Sequence, residues 1–417
     1  MSAEKPAPSK RLGFRPRMEP GPFPDGVRTT VTSVKSADGA SAPGILYEVP
    51  GATTVAALMH PRQDLARHYL IPILLGAGYA VWAQSSRSPN NDLTLIHEEA
   101  ILDAAAGFAF LRDRGFEHLV AVGPSGGATL YAFYAQQASR EPSLRIASTP
   151  GGKPSGLADA ELPALDAIAF VAPHPGQGEL LLGCIDGSVA SEADPLSTVP
   201  ALDPFDPANG FVPPPESSSY DAEFLERYRA AQRARVARLD ERAHELIGAR
   251  MAAKGRFKET GALLDQRASV MNEVLCVYRT DADPRTVDLS LDPNDRPYGS
   301  IHGTRPHVIN YGITGFGRLS TADAWLSTWS GLSSNASFVA CAPEITLPTL
   351  FVEYTADQAT YPTRAAEMFD ALGSKDKTHA SVVGTHFGGS PTPDGPPGGA
   401  LAGEQLVSWL QTRLPPA

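Results

Sequence analysis

The residues best placed to do chemistry are Gly123-Pro124-Ser125-Gly126-Gly127, a G-x-S-x-G run. The apolar stretch Leu119 to Val122 precedes it, and Ala128 to Tyr134, with a helical pattern, follows at once. Such a context predicts a strand, a sharp turn and a helix. A serine at that corner exposes its hydroxyl, and glycines on either side leave room where a side chain would clash. The helix that starts there also turns free backbone N–H groups and its positive dipole end toward the serine. That arrangement suits a nucleophile attacking a carbonyl carbon, with the developing oxyanion held at the helix start. A bare pattern of this kind also arises by chance in a glycine- and serine-rich chain, so the flanking elements carry the reading.

Those flanking elements alternate. Val27 to Val34 and Gly44 to Val49, separated by the turn signal Asp38-Gly39, predict a hairpin. Thr53 to Met59, Tyr79 to Ala83, Leu119 to Val122, Ala167 to Ala172 and Thr349 to Glu353 are short apolar runs of the kind buried on both faces, and Ala380 to Val383 is one more short strand. Helical spacing covers Leu65 to Leu75, Glu98 to Arg114, Thr363 to Leu372 and Leu401 to Arg413. The pattern predicts an α/β fold, a mostly parallel doubly wound sheet with helices on both faces. Between about Gly187 and Ser337 the alternation stops. Pro-, Ser- and Asp-rich backbone leads into a long amphipathic helix over Tyr220 to Lys254, then a second helix over Gly261 to Tyr278. The expected organisation is an N-terminal arm over 1–26, a core over 27–187 and 338–417, and a large, mainly helical cap inserted over 188–337.

In an open parallel sheet, ligands lie beyond the carboxyl ends of the strands. This rule selects His386, which follows a strand within three residues, and rejects His379, which precedes it. It likewise selects Asp357 as the carboxylate, with Glu353, inside a strand, as second choice.

Through its opening hairpin, the elbow Gly123 to Gly127, the Thr355-Ala356-Asp357 turn and the Gly384-Thr385-His386-Phe387 turn, the chain resembles the α/β-hydrolase superfamily. The resemblance spans all but the arm and the insertion. It implies that Ser125 attacks an acyl carbonyl, that His386 takes and returns its proton, and that Asp357 orients the imidazole. It also implies two backbone donors for the oxyanion, one from Gly126 and one from the loop after the third strand. There the chain reads His60-Pro61-Arg62, and proline has no N–H, so Arg62 is the expected second donor. His60, His174 and Arg87 lie at the same sheet edge as candidate substrate contacts. His174 is equally open to a structural role, and Arg87 to tying down its own loop.

The expected activity is hydrolysis of a carboxylic ester, lactone or amide through an acyl-enzyme. The alternatives are carbon–carbon bond hydrolysis of a diketone by the same three residues and a non-catalytic ligand-binding protein of this fold. The partner is a small acyl molecule, with no cofactor required. A net charge of -11 argues against nucleic-acid binding. No apolar stretch reaches the length of a membrane span, and Met1 to Pro24 lacks the apolar region of a secretory signal, so the expected location is the cytoplasm. Three widely spaced cysteines, Cys184, Cys276 and Cys341, read as reduced thiols, and no His/Cys cluster suggests a metal. The long cap helix is free to pack on the body or on a second copy, as in a homodimer.

Overall fold

The computed structural model describes residues 22–417, so the expected arm lies outside the described residues except at 22–26. Two strands, β1 (Arg28–Lys35) and β2 (Ser41–Glu48), form the antiparallel hairpin at one edge. Next in the chain come β3 (Thr54–His60), α1 (Leu70–Gly76), β4 (Ala80–Ser85), α2 (His97–Asp113), β5 (His118–Pro124), α3 (Gly126–Ser139) and β6 (Ala167–Val171). Every residue of β3, β4 and β6 is buried, which is why these segments read as unbroken apolar runs rather than alternating ones. The expected helix from Leu65 starts late, at Leu70. Asp64 Oδ1 accepts the Ala66 N–H and His68 Nδ1 the Leu70 N–H, and these side-chain bonds hold the intervening chain in turns.

After β6 the chain leaves the sheet at residue 172 and returns with β7 (Thr349–Tyr354). Within this excursion lie α4 (Gln177–Cys184), α5 (Ala222–Thr260) and α6 (Leu263–Val270). The 39-residue α5 starts where Asp221 Oδ1 accepts the Phe224 N–H and ends at Gly261, whose φ of 68° suits a residue without a β-carbon. It buries Phe224, Tyr228, Val236, Leu239 and Ala243, one stripe at helical spacing. The second expected helix, to Tyr278, stops instead at Val270, because Val274–Cys276 pair antiparallel with Leu319–Thr321. Arg279 and Asp186 form a fully buried ion pair at 2.8 Å within this excursion. The same carboxylate accepts from Ser188 and Asn310.

The core closes with α7 (Pro362–Ala371), β8 (Lys377–Val382) and α8 (Gly398–Gln411). The eight strands run in the order β1-β2-β4-β3-β5-β6-β7-β8, parallel from β4 onward. Leu102, Phe108, Leu130, Tyr131 and Met368 of α2, α3 and α7 pack on one face, and Leu70, Leu74, Leu406 and Trp409 of α1 and α8 on the other. The carboxyl ends of β3, β5, β6 and β7 therefore meet along one edge of the sheet, under the excursion. No helix among the described residues is long and apolar enough to cross a membrane.

Candidate active site

Ser125 stands between β5 and α3 with φ 54° and ψ -121°, a backbone conformation few residues with a β-carbon adopt. Packing imposes it. A β-carbon on Gly123 would lie 2.6 Å from the Gly127 carbonyl oxygen, and one on Gly127 would lie 2.2 Å from that of Met59. With glycine at both positions, strand and helix close to backbone contact and the serine is pushed out at the corner. Its own N–H donates to the Val171 carbonyl at 2.9 Å, anchoring the corner to the end of β6.

The His386 imidazole lies with Nε2 2.8 Å from Ser125 Oγ and Nδ1 2.8 Å from Asp357 Oδ2 and 3.0 Å from Oδ1. Asp357 follows β7 and His386 follows β8, so two adjacent parallel strands deliver both residues to one edge. The turns that carry them are stitched together by the Ala356 N–H to the Gly384 carbonyl at 3.0 Å. Asp357 Oδ1 also accepts the N–H groups of Ala359 and Thr360, which fix the carboxylate, and both Asp357 and His386 are buried. From the excursion, Asn294 donates to the Asp357 carbonyl at 2.9 Å. With Nδ1–H directed at the carboxylate, His386 presents an unprotonated Nε2 to the serine hydroxyl, the arrangement that lets a serine lose its proton as it attacks.

The remaining expected residues divide. Gly126 is the first residue of α3, where a helix has N–H groups without intrahelical acceptors. Arg62 requires a correction: its N–H donates to His60 Nδ1 at 3.0 Å, as does that of Gln63 at 3.1 Å, so the expected oxyanion donor is already engaged. Proline at 61 bends the chain so that the histidine ring collects both N–H groups. The Arg62 side chain is held by Asp92 through two bonds of 2.6 Å and lies over Trp329, 4.6 Å from the ring centre. His60 lines the cavity at Ser125, together with Gln63, His68, Tyr69 and Phe387. His174, after β6, points Nε2 to within 2.8 Å of where a Gly126 β-carbon would be. Arg87 is not among the residues lining this cavity: its guanidinium is taken up by Asp103 and Asp38, two carboxylates that hold the loop after β4. Glu353 pairs with His379 at 2.9 Å, away from the serine.

Sequence reasoning missed Gln177, His97 and His68. Gln177 opens α4 and is buried, with Nε2 2.2 Å from the same Gly126 β-carbon point. His97 opens α2 and contacts Gln177 Oε1 at 3.0 Å. Burial alone drives His68 down to about 3, and burial drives His97 to about 4 against weaker opposing hydrogen bonds. His174 is held well below the ordinary histidine range, first by burial and then by His386, Arg62 and His97 nearby. The one available signal was position: Gln177 follows His174 by three residues at the working end of β6.

The strand order, the elbow and the serine, aspartate and histidine delivered from β5, β7 and β8 define an α/β-hydrolase fold. No protein-family model and no curated protein matches the sequence. Among solved structures, the chain is similar to DcsB, determined with its substrate analogue, at 11% identity over 93% of this chain and 100% of that one, TM-score 0.52. It is also similar to the α/β hydrolase GrgF from Penicillium sp. sh18, at 10% identity over 93% and 99% of the two chains, TM-score 0.50. A third similar structure is the hypothetical protein PA2218 from Pseudomonas aeruginosa, at 11% identity over 97% and 100%, TM-score 0.50. At these identities the likeness is one of fold.

Proposed function

We propose that the protein is a serine hydrolase that cleaves a carboxylic ester through an acyl-enzyme on Ser125. The observation that carries this reading is the unbroken contact from Ser125 Oγ through the His386 ring to Asp357, with both bonds at 2.8 Å, on an elbow strained to φ 54°. In the reaction, a bond forms between Oγ and the acyl carbon, the carbonyl π pair moves onto oxygen, and the hydroxyl proton passes to His386 Nε2. Collapse of the tetrahedral species expels the alcohol, which takes that proton from His386. Water then repeats the sequence on the acyl-enzyme and releases the acid. Asp357 stays ionised throughout and stabilises the imidazolium. The residues between β6 and β7 act as the cap in this reading, screening the acyl-enzyme from bulk water and shaping the acyl site.

Ser125→Ala is expected to abolish turnover of a short-chain aryl ester while leaving the unfolding midpoint in place, and a fluorophosphonate probe to label wild-type protein at Ser125. Undiminished turnover in the alanine variant would sink the proposal.

A further inference from the structure

Three of the buried arginines are matched with carboxylates: Arg279 with Asp186, Arg235 with Glu192 and Arg62 with Asp92. Arg296 and Arg318 are buried too, and among the described residues neither forms an ion pair. Arg296 is a loop staple. Its five hydrogen bonds, to the carbonyls of Arg285, Asp288, Leu291 and Asp292 and to Asn294 Oδ1, use every donor a guanidinium has. Arg318 is used less fully. It donates to the carbonyls of Val277 at 3.3 Å, Asn310 at 2.9 Å and Thr314 at 3.0 Å, and its buried Nε meets no acceptor among the described residues.

Its charge is left open as well. Asp281 attracts Arg318 without pairing with it, but burial lifts that carboxylate to about 7, so at neutral pH it is ionised only in part. Burial lowers Arg318 to about 10, and Arg235 nearby acts in the same direction. An ion taken out of water without a counter-charge is unfavourable, and is kept where something else is gained. Arg318 lines the groove of about 600 Å³ whose other charged residues are Arg62 and Asp92. Those two cancel through a pair of 2.6 Å bonds, so the charge facing the groove is that of Arg318, in a chain of net charge -11. On the same wall, a β-carbon at Gly315 would lie 2.9 Å from Arg318 Nε and Nη2, and glycine keeps the guanidinium clear of a side chain. Gln63 lines both this groove and the cavity at Ser125, so the two adjoin. A groove with low-dielectric walls and one unmatched charge concentrates ions of the opposite sign.

We propose that this groove takes a free carboxylate of the substrate, with Arg318 as its counter-ion, so that the ester cleaved at Ser125 is one that carries a carboxylate. The inference rests on the acyl-enzyme reading. One guanidinium matches a singly charged, planar group in charge and shape, whereas a doubly charged phosphate would leave a charge unmet beside Asp92. The carboxylate belongs to the acyl chain or to the alcohol, and the test separates the two.

The test uses the full chain. For the acyl arm, p-nitrophenyl monoesters of adipate, suberate and sebacate are each compared with the p-nitrophenyl ester of the monocarboxylate of equal length. For the alcohol arm, acetate esters of ω-hydroxy acids are compared with the matching alkyl acetates. In one arm kcat/KM is expected to be about 10–100-fold higher for the anionic ester than for its neutral counterpart. Arg318→Gln should bring that ratio to within about threefold of unity, and Arg318→Lys should keep most of it, a pattern that a purely structural role for Arg318 would not give. If turnover depends on Ser125 but neither arm shows a ratio above about threefold, or if the ratio survives Arg318→Gln, this inference is overturned and the acyl-enzyme reading stands. A wild-type protein no more active than Ser125→Ala on every ester overturns both. Should Arg318→Gln fail to fold, Ile313→Glu decides: the side chain is 90% exposed on the groove wall, and a carboxylate there should repel the anionic ester and erase the ratio. A ratio unchanged in that variant overturns the inference.

Discussion

Three histidines near Ser125, His68, His97 and His174, are kept neutral by burial, and this has a cost that depends on pH. Their unfolded counterparts take up protons near pH 6.5. A folded pKa below the unfolded one means that the unfolded chain binds more protons between the two values. Stability is therefore full above about pH 6.5 and is lost as pH falls toward 4, at up to about 1.4 kcal/mol per pH unit for each group. Asp281 acts in the opposite direction. Burial lifts it to about 7, so that in the folded state it holds a proton its unfolded form has released, and over the range from 4 to 7 it favours folding at the lower pH. The expected outcome is measurable as proton uptake on unfolding. His97→Phe should reduce that uptake at pH 5.5 by about one proton relative to wild type, as read from the slope of unfolding free energy against pH. An unchanged slope would mean that His97 is already charged in the folded protein, bonded to both Gln177 and the Ser327 carbonyl.

Among the elements, the β5-turn-α3 unit carries the most information per residue, and its adjacent glycines answer to different neighbours. At Gly127 an added methyl group meets the backbone of β3, which cannot withdraw, whereas at Gly126 it meets the tips of side chains, which can. Gly127→Ala is thus expected to cost about 1–3 kcal/mol in stability. Gly126→Ala should fold with less loss but turn over no substrate, a contrast that thermal unfolding and an ester assay on the two proteins would read directly. The same distinction between local and assembled geometry explains what could be read in advance. The elbow was legible because its cause is local: strand, glycine, serine, glycine, helix. Asp357 and His386 were legible because parallel strands send their following loops to one edge, a rule that needs only strand ends. Gln177 and His97 were not, since α4 and α2 are distant in sequence and meet only after β6 and β4 take their places in the sheet. Arg62 was misjudged for a smaller reason: the His60 ring bends back onto the chain two and three residues on, and spacing alone does not reveal such a bond.

At the scale of the whole molecule, the issue is how an ester reaches Ser125. The cavity there holds about 20 Å³, room for roughly one water molecule. Beside it, a groove of about 600 Å³ runs between Arg62, Gln63 and Asp92 on the sheet side and Ile313, Arg318 and Leu319 of the excursion. Gln63 lines both spaces, so the two adjoin, and Arg62 spans the groove's wall, bonded to Asp92 and lying over Trp329 and Phe316 of the excursion. Removing that arginine severs a tie between the sheet and the excursion and withdraws one contact from Trp329, but it leaves in place the buried Arg279 and Asp186 pair and the packing of Val236, Leu239 and Trp325. Breaking a buried pair of that kind costs about 3–5 kcal/mol, far more than a partly exposed tie. Arg62→Leu should therefore raise amide hydrogen exchange in residues 88–93 and 313–319 while leaving exchange in β3, β5 and β6 unchanged. It should also favour bulky aryl esters over acetate, because entry would no longer wait on the Arg62 contact. Unchanged exchange in both segments would show that Arg62 does not control the opening, and the route to Ser125 would then lie elsewhere along the excursion.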